Sequence, residues 1–191
     1  MPKYLKNAVT IKLVSGCTYD EAISIRCFTG QLLTLEGSDF SPENYIINKR
    51  IILEGNSNGV ILKGFTITHT NESSTGTDST SISITRCSFV RVLCVRCINK
   101  TQYGITGYSC GHVQINTCYF SDKGYAINAW SHSDILVGDD CTGTNNTYGV
   151  MANAAGIIRL IGSISNLGAT NNYGYWSGGS IIYNGQFMTN K

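Results

Sequence analysis

Proline is nearly missing from this chain of 191 residues: only Pro2 and Pro42 occur. Proline removes a donor from a strand ladder, so its scarcity leaves long stretches free to pair. Charge is also scarce, at 14% of residues with a formal net charge of +2. No basic stripe is present, which argues against a nucleic-acid partner. No apolar run approaches the roughly 18 residues of a membrane-spanning helix, so no membrane insertion is expected. Met1-Pro2-Lys3 is not followed by an apolar h-region, so it does not read as the start of a signal peptide. Extended i, i+3, i+4 apolar spacing is lacking too, which leaves no helices to alternate with strands.

What remains is a chain of short apolar pairs set among Gly, Ser, Thr and Asn. Hydrophobic residues make up 42% and glycine 21 positions. Regular columns of Ile, Val and Leu separate it from a disordered polar segment.

The stretch Ile105 to Gly174 holds three consecutive copies of one unit, opening at Ile105, Ile127 and Val150 and 22, 23 and 25 residues long. Each has an apolar-x-apolar pair eight residues on: Val113/Ile115, Ile135/Val137 and Ile158/Leu160. Each closes on Tyr-Gly or Tyr-Ala. Earlier in the chain, Val92/Cys94 and Val60/Leu62 fill the same slot. Five residues after the first member come Phe65, Cys97, Cys118, Asp140 and Ser163. Self-similarity at this period marks a solenoid. The pairs alternate with polar residues, so they are strands buried on one face. Three strands of four to five residues plus turns fill one unit. The reading is an all-β, parallel β-helix of about seven coils, 21–25 residues each, in a single domain over residues 1–191. Equivalent residues then stack about 4.8 Å apart.

Within that domain, 1–37 reads as the opening coil, with Val9, Ile11 and Leu13 on one face and Ile23, Ile25 and Cys27 on another. Leu33 and Leu35 supply its third strand. Residues 38–50 form a polar connection, and Ile51–Leu53 begins the second coil. Residues 68–81 form a polar loop insertion, 84–174 the regular coils and 175–191 a terminal coil. The last coil, with Trp176, Ile181, Ile182 and Tyr183, is expected to be an apolar end that needs covering.

The run Gly16-Cys-Thr-Tyr19-Asp-Glu21-Ala-Ile23-Ser-Ile25, then Gly30 to Gly37 and Val60 to Ile67, resembles the first coils of right-handed parallel β-helix proteins. The later Asn-Thr-Tyr-Gly closures and Ser177 to Gly185 look like the β-helix domains of phage and prophage tail spikes, appendages and baseplate proteins. The resemblance covers nearly the whole chain. It implies a virion (tail) location with assembly in the bacterial cytoplasm, and a homotrimer. It also implies recognition of host cell-surface polysaccharide or of other virion proteins. The alternative within the same fold is a polysaccharide hydrolase or lyase.

Eight cysteines occur, among them Cys94-Val-Arg-Cys97. A zinc or redox site needs a second pair or a helix after a βαβ pattern, and neither is present. They read as small buried hydrophobes and free thiols, which fits a reducing compartment. No metal and no cofactor is expected.

Glycoside hydrolysis needs two spaced carboxyls, and the resemblance implies acidic ligands and a basic residue for a lyase. Asp139-Asp140 is the only adjacent acidic pair, with His112 one coil earlier; these three are the candidates under the enzyme alternative. Arg91, His112 and Asp134 are expected to share an outward column. Sugars bind aromatic faces flanked by amides and hydroxyls. Tyr108, Trp130 and Asn153 fall in one column, and with Trp176 they are the glycan-binding candidates. Tyr103, Tyr125, Tyr148 and Tyr173 close four coils and read as a structural stack.

Overall fold

Because each apolar pair recurs at nearly constant spacing, its natural partner is the same pair one coil away. The computed structural model, which describes residues 3–71, 79–138, 140–161 and 164–188, shows this arrangement. Parallel strands stack into a β-solenoid of about seven coils. Every coil runs through three sheets in the same order. The first sheet begins at Val9–Lys12, passes through Leu33–Glu36, Gly59–Lys63, Phe89–Leu93, His112–Asn116 and Asp134–Val137, and ends at Ile157–Leu160 and Ser180–Tyr183. The second is built from strands of two or three residues, from Thr18–Tyr19 to Thr142–Thr144. The third holds Ile23–Arg26, Ile51–Glu54, Thr80–Thr85, Thr101–Tyr108, Lys123–Trp130, Asn146–Asn153 and Ala169–Trp176. Crossovers between parallel strands are right-handed with few exceptions.

The core is a set of columns running along the axis. In the first sheet Val60, Val90, Val113, Ile135 and Ile158 stack in register, and beside them Leu62, Val92, Ile115, Val137 and Leu160. All are buried. The expected pair Val92/Cys94 is therefore displaced by two residues; the pair is Val90/Val92. Alternation conceals such an error, because a slip of two keeps every side chain on its face. Cys94 lies instead at the corner, in the left-handed region at φ 53°, below Gly64 at φ 70° and above Thr117 at φ 53°. The next column runs Phe65, Val95, Cys118 and Cys141. Cys97 is left out of it by the same shift, and Asp140 by one extra residue at the corner before Cys141.

Left-handed residues recur at the other corners. Asn99, Asp122, Asn145 and Gly168 line the corner between the second and third sheets. Arg86, Ser109, Ser131, Ala154 and Ser177 line the corner after the third. A non-glycine residue in this region costs about 1–2 kcal/mol, least for Asn and Asp, which bond their own backbone. The tight turn into the next sheet requires it.

The opening coil differs from its sequence reading. Leu33–Glu36 pairs with Val9–Lys12 and so starts the second coil rather than completing the first. Pro42–Asn44 is a 3-10 turn within the 38–50 connection, Ile46–Ile47 is a second-sheet strand, and Ile51–Glu54 ends the second coil. Cys27 leaves the Ile23/Ile25 face, with φ 56° at the corner. Of the 68–81 insertion, Asn71 bridges to Thr101 and a strand already runs from Thr80; residues 72–78 lie outside those described.

The last coil is covered, and by the chain's own following residues. Ser180–Tyr183 is covered by an antiparallel strand, Gln186–Phe187, Ile181 is fully buried, and Met188 packs on the core. The apolar opening lies at the other end: a cavity of about 480 Å³ lined by Val9, Ile11, Leu13, Ile23, Leu33 and their neighbours. None of the eight cysteines forms a disulfide, and Cys87, Cys97, Cys110, Cys118 and Cys141 are buried. Burial pushes the Cys97 thiol up to about 12.

Truncation separates the two faces of one strand. Ile135→Ala should lower stability by about 2–5 kcal/mol in urea unfolding. Leu136→Ala, one residue on and facing outward, should cost well under half as much. Equal losses would place the register off by one.

Candidate functional site

The third sheet carries the longest strands, eight residues each from Thr101 onward. Ile105, Ile127 and Val150 stack inward, and two residues on so do Gly107, Ala129 and Ala152. Alternation then turns residues 106 and 108, and their equivalents, to the outer face. The rung after the small inward residues reads Tyr108, Trp130, Asn153 and Trp176, each opposite the next. All four glycan-binding candidates thus fall in one row. Each is followed by a left-handed corner residue, which fixes the row at the rim of the sheet. Tyr108 is 41% and Trp176 67% exposed, whereas Asn153 is buried at 4%. An accessible amide was expected at Asn153; its neighbours cover it.

A second outward row lies beside this one: Ser83, Thr106, Asn128 and Met151. Asn128 is fully buried although it faces away from the core. Asn153 Nδ2 donates to Asn128 Oδ1 at 3.0 Å. Thr106 Oγ1, Asn128 Nδ2 and Asn153 Oδ1 have no hydrogen-bond partner. A buried polar atom left open costs about 1–3 kcal/mol, so three side by side mark an unfinished network.

The tyrosine stack is present but shorter than expected. Tyr103 and Tyr125 stack at 5.3 Å and 17°, Tyr125 and Tyr148 at 5.0 Å and 16°. Burial, then the neighbouring phenol, raises the pKa of Tyr103 and Tyr125. Tyr173 does not continue the stack. Asn171 pairs with Tyr148, while Tyr173 pairs with Val150 and meets Tyr175 edge-on at 64°. The spacing explains it: successive coils pair 23 residues apart here, Tyr125 with Tyr148 and Tyr148 with Asn171, and Tyr173 comes two residues too late to reach the stack. With faces closed against each other, these tyrosines offer edges and hydroxyls rather than open ring faces.

The acidic candidates are dispersed. Asp140 Oδ1 accepts from the Thr117 N–H at 2.8 Å, and its Oδ2 accepts from the Thr117 hydroxyl. Burial raises its pKa, but the two Thr117 bonds outweigh that and hold it below the usual carboxylate value. Asp139 lies outside the described residues. His112 does not meet Asp140; its Nδ1 lies 3.6 Å from Asp134 Oδ2, and Arg159 Nε lies 3.1 Å from Asp134 Oδ1. Arg91 is not in that column. Phe89 takes the place and stacks on His112 at 6.0 Å, while Arg91 pairs with Gln114. This correction follows from the same two-residue shift. Hydrolysis at neutral pH asks one carboxyl to stay protonated beside an ionised one. Asp140 is held in the ionised form.

One feature escaped the sequence reading. Lys123 stands between Thr101 and Asn146 in a corner column and is 1% exposed. Its Nζ donates to the carbonyl oxygens of Ile98 and Asn99. Asn146 does the same work one coil on, donating to Phe120 and Leu167. Desolvation lowers the Lys123 pKa to about 8. A cleft of about 290 Å³ opens beside it, lined by Gln102, Asp122, Asn145 and Thr147 among others. Its column holds Thr101, Asn146 and Ala169 on the neighbouring coils, and nothing in that pattern marks the lysine as buried.

Comparison of the chain with protein-family models, with curated proteins and with solved structures found no match.

Lys123 makes stability depend on pH in a defined direction. Between about pH 8 and 10.5 the folded amine is neutral while the unfolded one is still protonated. The unfolded state binds more protons there, so this group's contribution to stability rises with pH. The stability of the wild type minus that of Lys123→Met should increase by roughly 3 kcal/mol across that window, at about 1.4 kcal/mol per unit. Groups common to both proteins cancel. A flat difference in denaturant melts would show that the amine is not desolvated.

Proposed function

We propose that this chain is a structural and receptor-binding segment of a phage or prophage tail appendage, and that its third-sheet outer face recognises host surface glycan. The observation that carries the binding half is the single row of Tyr108, Trp130, Asn153 and Trp176 on a rigid sheet. Aromatic bodies cover the apolar side of a sugar, and amides and hydroxyls beside them take its polar groups. Coil stacking holds the row in place before any ligand arrives, which lowers the ordering cost of binding. The phage half rests on the resemblance of the first coils and of the Tyr-Gly closures. Free thiols in the core fit folding in a reducing cytoplasm before assembly into the virion. The apolar opening at the first coil offers a surface for neighbouring virion protein, and a homotrimer is the assembly the resemblance suggests. Binding without cleavage is the favoured mode, since Asp140 is tied to Thr117 and His112 to Asp134.

A glycan array run beside a reducing-end assay tests this reading. The wild type should bind a subset of bacterial surface glycans, Trp130→Ala should weaken that binding tenfold or more, and no reducing ends should appear. Release of reducing ends or unsaturated sugars, abolished by Asp140→Asn, would establish the hydrolase or lyase alternative instead. Absence of binding to any bacterial glycan would overturn the receptor-binding role.

A further inference from the structure

We infer that the gap between Trp130 and Trp176, floored by Asn153 and Asn128, is a subsite for one acetamido sugar ring. The inference rests on the glycan-binding reading and specifies the ligand.

The geometry begins with the register. Trp130 pairs with Asn153, and Asn153 pairs with Trp176, so the two indoles rise from strands two spacings apart. That separation is about 9.6 Å. A saturated ring held between two aromatic faces needs about 3.5–4.0 Å of contact on each side. One pyranose fits such a gap and two do not. Asn153, the residue between, is too short to fill it. The tyrosine row shows the contrast: there every strand carries a ring, and the rings close on one another at 5.0 and 5.3 Å. In the tryptophan row an amide, not a ring, stands between the two indoles.

The floor specifies the substituent. Asn153 and Asn128 satisfy each other through one half of each amide. One acceptor, Asn153 Oδ1, and one donor, Asn128 Nδ2, are left over on adjacent residues. Exchanging nitrogen and oxygen in both side chains leaves the same unfilled combination, one donor and one acceptor. An acetamido group presents the complement, an N–H to donate and a C=O to accept, on two atoms of one planar unit. A hydroxyl offers both functions from a single oxygen and cannot span the two residues as well. No side chain charged at neutral pH stands in this row from Tyr108 onward; Arg26 and Glu54 occupy it only in the first two coils and pair with each other. The site is therefore matched to a neutral sugar. Both open atoms are covered in the unliganded chain, so the ring enters by turning one wall aside. Trp176, at 67% exposed, is the wall free to turn.

Trp130 and Trp176 are the chain's two tryptophans. Intrinsic fluorescence therefore reports on both walls of this site. The full chain is titrated with chitobiose and cellobiose, which differ in their acetamido groups, and with N-acetylgalactosamine and galactose. Chitobiose or N-acetylgalactosamine should give a saturable spectral change, with its unacetylated counterpart at least tenfold weaker. Trp176→Ala, at an exposed position, should abolish the remaining fluorescence response to sugar and reduce affinity tenfold or more by calorimetry. Asn153→Leu, which keeps the volume and removes the acceptor, should erase the preference for the acetylated sugar. Equal affinity for acetylated and plain sugars overturns the acetamido assignment while leaving glycan binding intact. Glycan binding on an array without any tryptophan response, and unaffected by Trp176→Ala, overturns the site itself. Failure of every sugar on the array and in solution overturns both this inference and the reading beneath it.

Discussion

Every position in this solenoid must tolerate its own equivalent one strand spacing away. That constraint explains the composition. Like charges stacked about 4.8 Å apart repel, so stacked charges alternate in sign. Arg26 sits on Glu54 at 3.3 Å, Glu36 on Lys63 at 3.4 Å, and His112 on Asp134 at 3.6 Å. Apolar residues face no such limit, and the inward columns are Ile, Val and Leu from coil to coil. Tyrosines stack on tyrosines because offset rings attract. Asn and Asp stack at a left-handed corner because they tolerate that backbone.

The same constraint sets what the surface can do. Side chains on an outer face are fixed in rows by the ladder beneath them, so a row becomes a functional surface when its members change from coil to coil. The outward row of the third sheet does this: Tyr108, Trp130, Asn153 and Trp176 are different in shape but equal in register. The row beside it places Asn128 under cover with an amide half unused. Repetition builds the scaffold, and the break in repetition marks the candidate site.

Much of the fold was legible because hydrophobic alternation and a recurring turn chemistry are both periodic signals. The site row was legible too, since Tyr108, Trp130 and Asn153 keep their distance from each coil's opening residue. Several of the errors share one origin. Val92/Cys94 was an acceptable pair by alternation, and only the left-handed corner at Cys94 excludes it. From that two-residue shift followed the misplacement of Arg91, and of Cys97 in the inner column. Asp140 was misplaced for another reason, the extra residue before Cys141 at that corner. Tyr173 failed because the coil keeps the step that pairs Tyr125 with Tyr148, which puts Asn171 beneath the stack and leaves the coil-closing tyrosine two residues beyond it. The burial of Asn153 and Lys123 was beyond reach: both are polar, and their covering depends on neighbours across coils.

The register is the claim on which the rest depends, and through-hydrogen-bond scalar couplings measure it directly in an isotope-labelled chain of 20.7 kDa. The structure requires that the amide of Ser109 couples to the carbonyl of Trp130, Ser131 to Asn153, Ala154 to Trp176, and His112 to Ser88. Those correlations would place the four candidate residues in one row. Couplings displaced by two residues, such as Ser131 to Met151 or His112 to Val90, would contradict the register and separate the row.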